Sequence, residues 1–402
     1  MRAFAQTVAE LAAAASVRAA IDWFRRERAW INEQHLTLCR IPAPTFFEEK
    51  RAEWMAQRFR SIGWEARIDR AGNVVARLPG SREPVVAVTA HLDTVYAPRL
   101  PEEIKVNGDG RFLGPGVSDN GAGLAALLAL AAAWNASPPV RAACWPMLVA
   151  NVGEEGEGNL SGMRYLCRPA NLPKLRALLV LDGPSTDHIT SQALASRRFD
   201  LTITGAGGHS WSDSGTGNPI HALSRAVAWF TDQAAAVVAA PPRSSFNFGV
   251  IEGGSSINVI PTEARAKVDL RSESAERIEC LAALLSAALE RAVELENSRS
   301  AAGRVAGRVK EIGSRPAGAL APDAPILECI RAVDAHLGIR SHLDCSSTDA
   351  NIPLSLGLPA ISIGAGGQGG GAHTTSEWFQ PEGRERGLTR VLLALCLLLM
   401  NE

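Results

Sequence analysis

The sequence predicts an α/β protein with a central, mostly parallel sheet, interrupted by a smaller inserted α+β domain of ferredoxin-like order. Three observations carry that prediction. Four short, continuously apolar runs read as strands buried on both faces, the habit of parallel sheets: "VVAVTA" (85–90), "MLVANV" (147–152), "ALLVL" (177–181) and "PAISIG" (359–364). The stretch "GLAALLALAAAW" (123–134) is apolar nearly all round, as expected of a helix packed on a sheet. In the middle of the chain the pattern changes to period-two alternation, in "RRFDLTIT" (197–204) and "ARAKVDLR" (264–271), the mark of a sheet wet on one face.

In that middle segment a helix at about 218–238 follows the first strand. A second, at about 274–296, carries Ile278, Leu281, Leu285, Leu289 and Ala292 on one stripe, and "RVAGRVKEI" (304–312) forms a last strand. The order β-α-β-β-α-β is that of a ferredoxin-like split unit. The expected limits are 195–313 for the insertion, with 1–194 and 314–402 forming the larger, discontinuous domain. A chain of 402 residues is long for a single core, which agrees with two domains.

Composition narrows the function classes. Lys and Arg number 41 against 42 acids, a net charge of −1 that argues against nucleic acid or an anionic membrane as the main partner. Seven scattered cysteines without a CxxC pair read as reduced thiols of a cytoplasmic protein. The N-terminus is broken by Glu10, Arg18 and Asp22, so it reads as an amphipathic helix and not a signal peptide. The run "VLLALCLLLM" (391–400) is too short to span a bilayer and reads as a buried helix.

Chemistry-bearing residues stand where the buried strands end. His91 and Asp93 follow the first run, Glu154 and Glu155 the second, Asp182 the third, and His373 the fourth after its glycines. Asp119 precedes the apolar helix. Any one of these reads equally well as a cap or a solvated turn residue. Gathered on one sheet edge, however, two imidazoles and several carboxylates are costly without a multivalent cation. Imidazole plus carboxylate without thiolate suits Zn²⁺, with Co²⁺ or Mn²⁺ as alternatives. Five ligands exceed one open tetrahedral site and suit two ions sharing a carboxylate. The His-x-Asp spacing lets Asp93 approach the His91 imidazole and fix its tautomer.

The motifs "TAHLDTV", "GPGVSDNGAG", "NVGEEGEG", "LVLDG", "GAGGHS", "INVIP", "SSTDAN" and "GAHTTSE" run in order along the chain. This series resembles the co-catalytic zinc exopeptidases and deacylases (metallopeptidase family M-twenty, with peptidase T, glutamate carboxypeptidases, acetylornithine deacetylase and aminoacylases) from about residue 85 to 380. The resemblance implies a zinc-exopeptidase-like domain with an inserted lid and dimerisation domain. It implies two Zn²⁺ per chain: His91 and Asp182 on one ion, Glu155 and His373 on the other, Asp119 bridging. It makes Asp93 the partner of His91 and Glu154 the general base. His209 would reach the oxyanion, Asn258 would bind substrate, and Arg315, the loosest match, would take a carboxylate. Where many relatives carry a Gly-Arg-Gly turn and a Met-Lys pair around the bridging Asp, this chain has "GPGVSDNGAG". Glu157 matches no ligand position, Arg271 reads as structural, and Asp349 reads as ordering its loop.

The expected activity is therefore metal-dependent amide hydrolysis, as an exopeptidase (amino-, di-, tri- or carboxypeptidase) on small peptides. The alternative is an N-acyl-amino-acid deacylase using the same mechanism. A non-catalytic metal-binding protein would not require Glu154. Within the family that the sequence resembles, a lid of this small size implies a homodimer.

Overall fold

The four apolar runs become four neighbouring parallel strands in the order Trp145–Asn151, Val85–His91, Leu175–Leu181, Ala360–Ile363. Because they run the same way, their carboxyl ends share one edge. Val74–Arg77 and then Glu65–Ile68 extend the sheet antiparallel on one side. On the other side His188–Ala193 joins antiparallel and carries Gly318–Ala319 and His342–Ser346, completing nine strands among the described residues. The computed structural model describes residues 2–140 and 144–400.

Burial on both faces explains the continuous apolar composition of these strands. Val86, Val88, Ala90, Leu148, Leu179 and Ile361 share a core with the helices Gly121–Ala136 and Arg384–Met400. Val85, Ala87, Val149 and Leu178 face the other way, onto Leu160, Met163 and Leu166. Leu124, Leu127, Leu128 and Leu130 are all buried in the first of those helices, each contributing about 1.5–3 kcal/mol. The N-terminal stretch expected as one helix forms two, Arg2–Ala13 and Ala15–Arg26, and a third, Arg28–Cys39, follows them. No helix among the described residues is long and apolar enough to cross a membrane.

The chain divides into two compact units, one formed by the chain up to Ala193 and from Gly318 onward, the other by Leu194–Ala317. The second unit ends beyond the expected limit of 313. Its last strand, Ala306–Arg315, continues past a bulge after Glu311 and pairs through Arg315 with Ser196. Of the expected outer limits, residues 1, 401 and 402 lie outside the described residues. The unit follows the order β-α-β-β-α-β, with an antiparallel sheet ordered Ser244–Gly253, Glu263–Ser272, Ala195–Thr204, Ala306–Arg315. Asn218 caps the helix Pro219–Ala239 by accepting the Ile220 N–H, and Ser274 caps Ala275–Arg299 by accepting that of Arg277. The stripe Ile278, Leu281, Leu285, Leu289, Ala292 is buried as expected.

Candidate metal centre

The shared sheet edge gathers seven of the residues singled out above. His91 is the last residue of its strand, and Asp182 follows directly after Leu181. Asp119 precedes the helix Gly121–Ala136, with Asn120 as its N-cap. His373 sits in a turn beyond the fourth strand, in the left-handed region with φ 61°. The ligand-type atoms of His91, Asp119 and Asp182 lie within 4.8 Å of one another, and so do those of Asp119, Glu155 and His373. Asp119 belongs to both groups and turns one oxygen to each. Its Oδ1 is 3.0 Å from His91 Nε2, and its Oδ2 is 3.1 Å from His373 Nε2. His91 Nε2 is 3.8 Å from Asp182 Oδ1, and His373 Nε2 is 3.0 Å from Glu155 Oε1. Glu154 joins His91 and Glu155 in a third group, so a base candidate stands beside the ligand candidates.

Two adjacent glutamates reach one point because the backbone leaves the strand at Gly153. Its φ is +63°, and a Cβ there would lie 2.2 Å from Ser161 Oγ, so only glycine fits. The Gly153 N–H donates to the buried Glu48 carboxylate at 3.0 Å. The next two N–H groups donate to one side chain, Glu154 to Asp93 Oδ1 and Glu155 to Asp93 Oδ2, both at 2.9 Å. Asp93 thus faces both the His91 imidazole and the Glu154–Glu155 backbone. His91 Nδ1 meets the main-chain carbonyl of Asp93 at 2.9 Å, while the Asp93 carboxylate stands 3.6 Å away. The carbonyl and, at longer range, the carboxylate hold the imidazole, and the carboxylate also organises the Glu154–Glu155 backbone with help from the Thr45 hydroxyl at 2.9 Å.

Five carboxylates (Asp93, Asp119, Glu154, Glu155, Asp182) surround two imidazoles, and the acids hold protons on the bases. Burial pulls His91 down, yet hydrogen bonds with Asp119, Asp182 and Asp93 hold it well above its ordinary value. Hydrogen bonds to Asp119 and Glu155 lift His373 to about 10. Burial opposes ionisation of Asp119, but the two imidazoles win and hold it well below the usual carboxylate range. The carboxylates of this edge thus favour positive charge on both imidazoles.

Of the remaining candidates, His209, Asn258, Arg271 and Arg315 lie in the other compact unit. His209 is exposed on the short strand Gly208–His209 and pairs with Val259, next to Asn258. Its Nδ1 accepts the N–H groups of Trp211 at 3.2 Å and Ser212 at 3.3 Å, so a neutral ring carries its proton on Nε2. Asn258 is exposed, its carbonyl accepting the Ser210 N–H and its Oδ1 the Ser256 hydroxyl. Arg315 ends its strand and is buried. Arg271 donates to Asp269 at 2.7 Å, a structural pair. Glu157 is exposed in the turn Gly156–Gly158. Asp349 is buried, in a turn closed by Thr348 and Asn351.

The structure adds residues that the motifs did not single out. Glu377, buried to 3% exposure, accepts N–H groups from Gly116, Ser118 and Asp119 at 2.6–2.7 Å. Burial pushes its carboxyl up to about 7 against those hydrogen bonds. His35, read as an ordinary histidine, is buried and meets the Val117 carbonyl through Nε2 at 2.7 Å. Glu377 ends the motif "GAHTTSE", a position that offered a signal. For His35 and Thr45 no sequence signal exists.

Residues 195–295 match the family model described as Peptidase dimerisation domain, and residues 73–206 match Peptidase family M28. The uncharacterized Bacillus subtilis protein YqjE is 24% identical over 83% of this chain and 89% of its own. Among solved structures, a Staphylococcus aureus tripeptidase superposes with a TM-score of 0.75 at 19% identity, covering 92% of this chain and 97% of its own. The Bacillus cereus aminopeptidase PepT gives 0.71 at 20%, covering 92% and 98%. Human carnosine dipeptidase 1 gives 0.70 at 12%, covering 95% and 99%. These likenesses extend over both units and show a shared fold.

Proposed function

This chain belongs to the metallopeptidases of zinc-exopeptidase fold, hydrolytic metalloenzymes, and from that premise we propose a two-metal exopeptidase that acts on small peptides with Glu154 as its general base. The observation that carries this reading is the placement of Asp119, which offers one oxygen to the His91–Asp182 group and the other to the Glu155–His373 group. Two imidazoles with carboxylates and no thiolate form a donor set that suits zinc. The surrounding carboxylates favour positive charge on His91 and His373, which supports a site for cations. We assign His91 and Asp182 to one ion, Glu155 and His373 to the other, and Asp119 to both.

When bound, two such ions polarise a scissile carbonyl and make water acidic enough to attack at neutral pH. The protein's own part starts with Asp93, which holds the Glu154 and Glu155 backbone so that one side chain serves as ligand and the other as base. Glu154 takes the proton of the attacking water and returns it to the leaving amine. His209, with its proton on Nε2, serves as donor to the developing oxyanion. Asn258 and Arg315 are assigned to the substrate, Arg315 as a fork for a carboxylate. The similarity of residues 195–295 to a peptidase dimerisation domain supports a homodimer through this unit.

Peptides are preferred to N-acyl amino acids on the strength of the tripeptidase and aminopeptidase likenesses. A panel of di- and tripeptides against N-acetyl amino acids is expected to favour peptides by at least about tenfold in kcat/KM. The reverse order would make the protein a deacylase with the same site. Replacing His209 by Ala is expected to lower kcat by about 10²- to 10³-fold, the scale of one lost oxyanion donor, with metal content unchanged. Co-assembly of that variant with the inactive Glu154→Gln chain restores activity only if His209 serves the partner subunit. A His209→Ala enzyme with full kcat would remove the residue from the mechanism.

A further inference from the structure

We propose that Glu377 is a positioning residue that ties the loop carrying Asp119 to the segment carrying His373, so that both cations bind with linked affinity. The inference rests on the two-metal reading above and adds a residue to it. Glu377 Oε2 accepts the Gly116 N–H at 2.7 Å, while Oε1 accepts those of Ser118 at 2.6 Å and Asp119 at 2.7 Å. A buried carboxylate is expensive to place. This one directs both oxygens at consecutive turns of a single loop. The Glu377 carbonyl accepts a further N–H, from Gly114 at 2.9 Å. Directly beyond, Trp378 pairs with Leu113 and Phe379 with Phe112. The segments 112–119 and 377–379 are thereby stitched together.

The loop is held from its other side as well. His35 Nε2 donates to the Val117 carbonyl at 2.7 Å, and Arg384 Nη2 donates to His35 Nδ1 at 2.5 Å, which keeps that tautomer. Val117 thus has its carbonyl gripped by a donor, and its neighbours have their N–H groups gripped by an acceptor. The loop has little freedom to drift or rotate. That matters because Asp119 turns a different oxygen to each imidazole, so a small rotation of its backbone misplaces both contacts together. His373 lies four residues before Glu377 in a tight turn, closed by the Thr374 hydroxyl on the Gly371 carbonyl at 2.6 Å. A shift of Glu377 would move this ligand too.

Gln in place of Glu377 keeps one oxygen for two of the donors and sets an NH₂ against the third N–H. Asp keeps the charge but is one methylene too short. The test is Zn²⁺ titration of metal-free protein in competition with a chromophoric chelator, paired with visible spectra of the Co²⁺-loaded form. Both Glu377→Gln and Glu377→Asp are expected to weaken both binding steps by about tenfold or more, the cost typical of residues that orient metal ligands, and to shift the Co²⁺ bands. Arg390→Met, which breaks the buried pair with Asp334 in the same unit, controls for general destabilisation and should leave affinity and spectrum unchanged. Wild-type affinities and spectra in both Glu377 variants, or a loss no greater than in Arg390→Met, would overturn the proposal. Absence of metal uptake by the wild type would overturn the two-metal reading and this inference with it.

Discussion

Replacing Glu154 by Gln is expected to lower kcat by about 10²- to 10⁴-fold, the contribution of a positioned general base. The substitution is nearly isosteric, and its main-chain anchor on Asp93 is untouched because that bond comes from the backbone N–H. Glu154 is buried at 4% exposure, so the variant keeps its packing and loses only the group that accepts a proton. Steady-state kinetics with metal content measured in parallel separate this from loss of a ligand. Two ions retained with kcat collapsed identifies the base. Activity within about tenfold of wild type would show that another group performs the transfer.

Removing the metal is expected to have the second large effect, taking activity to background and changing how stability depends on pH. Protein purified without chelator should carry close to two ions per chain, and Zn²⁺ should restore activity after stripping. In the metal-free protein His373 is held up at about 10 by hydrogen bonds to Asp119 and Glu155, against an ordinary value of 6.5. A folded value above the unfolded one means that the stabilisation is fully present below about 6.5 and is lost as pH rises through about 10. His91 is raised as well and acts in the same direction. The melting temperature of the metal-free protein should therefore fall between pH 7 and 10, while that of the loaded protein stays level because a ligand imidazole is already neutral. Metal uptake should release protons across the same range. A flat profile for the stripped protein would show that protons do not hold the empty cluster together.

Four of the candidate site residues could be picked out because each stands at a boundary that hydrophobic patterning marks. A continuous apolar run ends, and the next polar residue falls at the carboxyl edge of a buried parallel strand. His91, Glu154, Glu155 and Asp182 are of this kind, and their gathering follows once the strands are parallel neighbours. The breaks between the three N-terminal helices were hidden. Ala14 and Glu27, at the two breaks, carry no side-chain cap and no breaker chemistry.

The sequence by itself determined the α/β layers, the inserted split unit, the residue types collected at one edge and hence the need for cations there. It could do so because burial and charge are written into composition at each position. Only the tertiary structure decided which oxygen of Asp119 faces which histidine. It also decided that the carbonyl of Asp93 joins its carboxylate at His91, and that the same carboxylate holds the backbone of Glu154 and Glu155. Glu377 and His35 emerged as the grips on the Asp119 loop in the same way. The physical reason is common to all three. Hydrogen bonds to backbone N–H and carbonyl groups carry no residue signature on the side of the backbone, so the choice of partner exists only once the chain has folded.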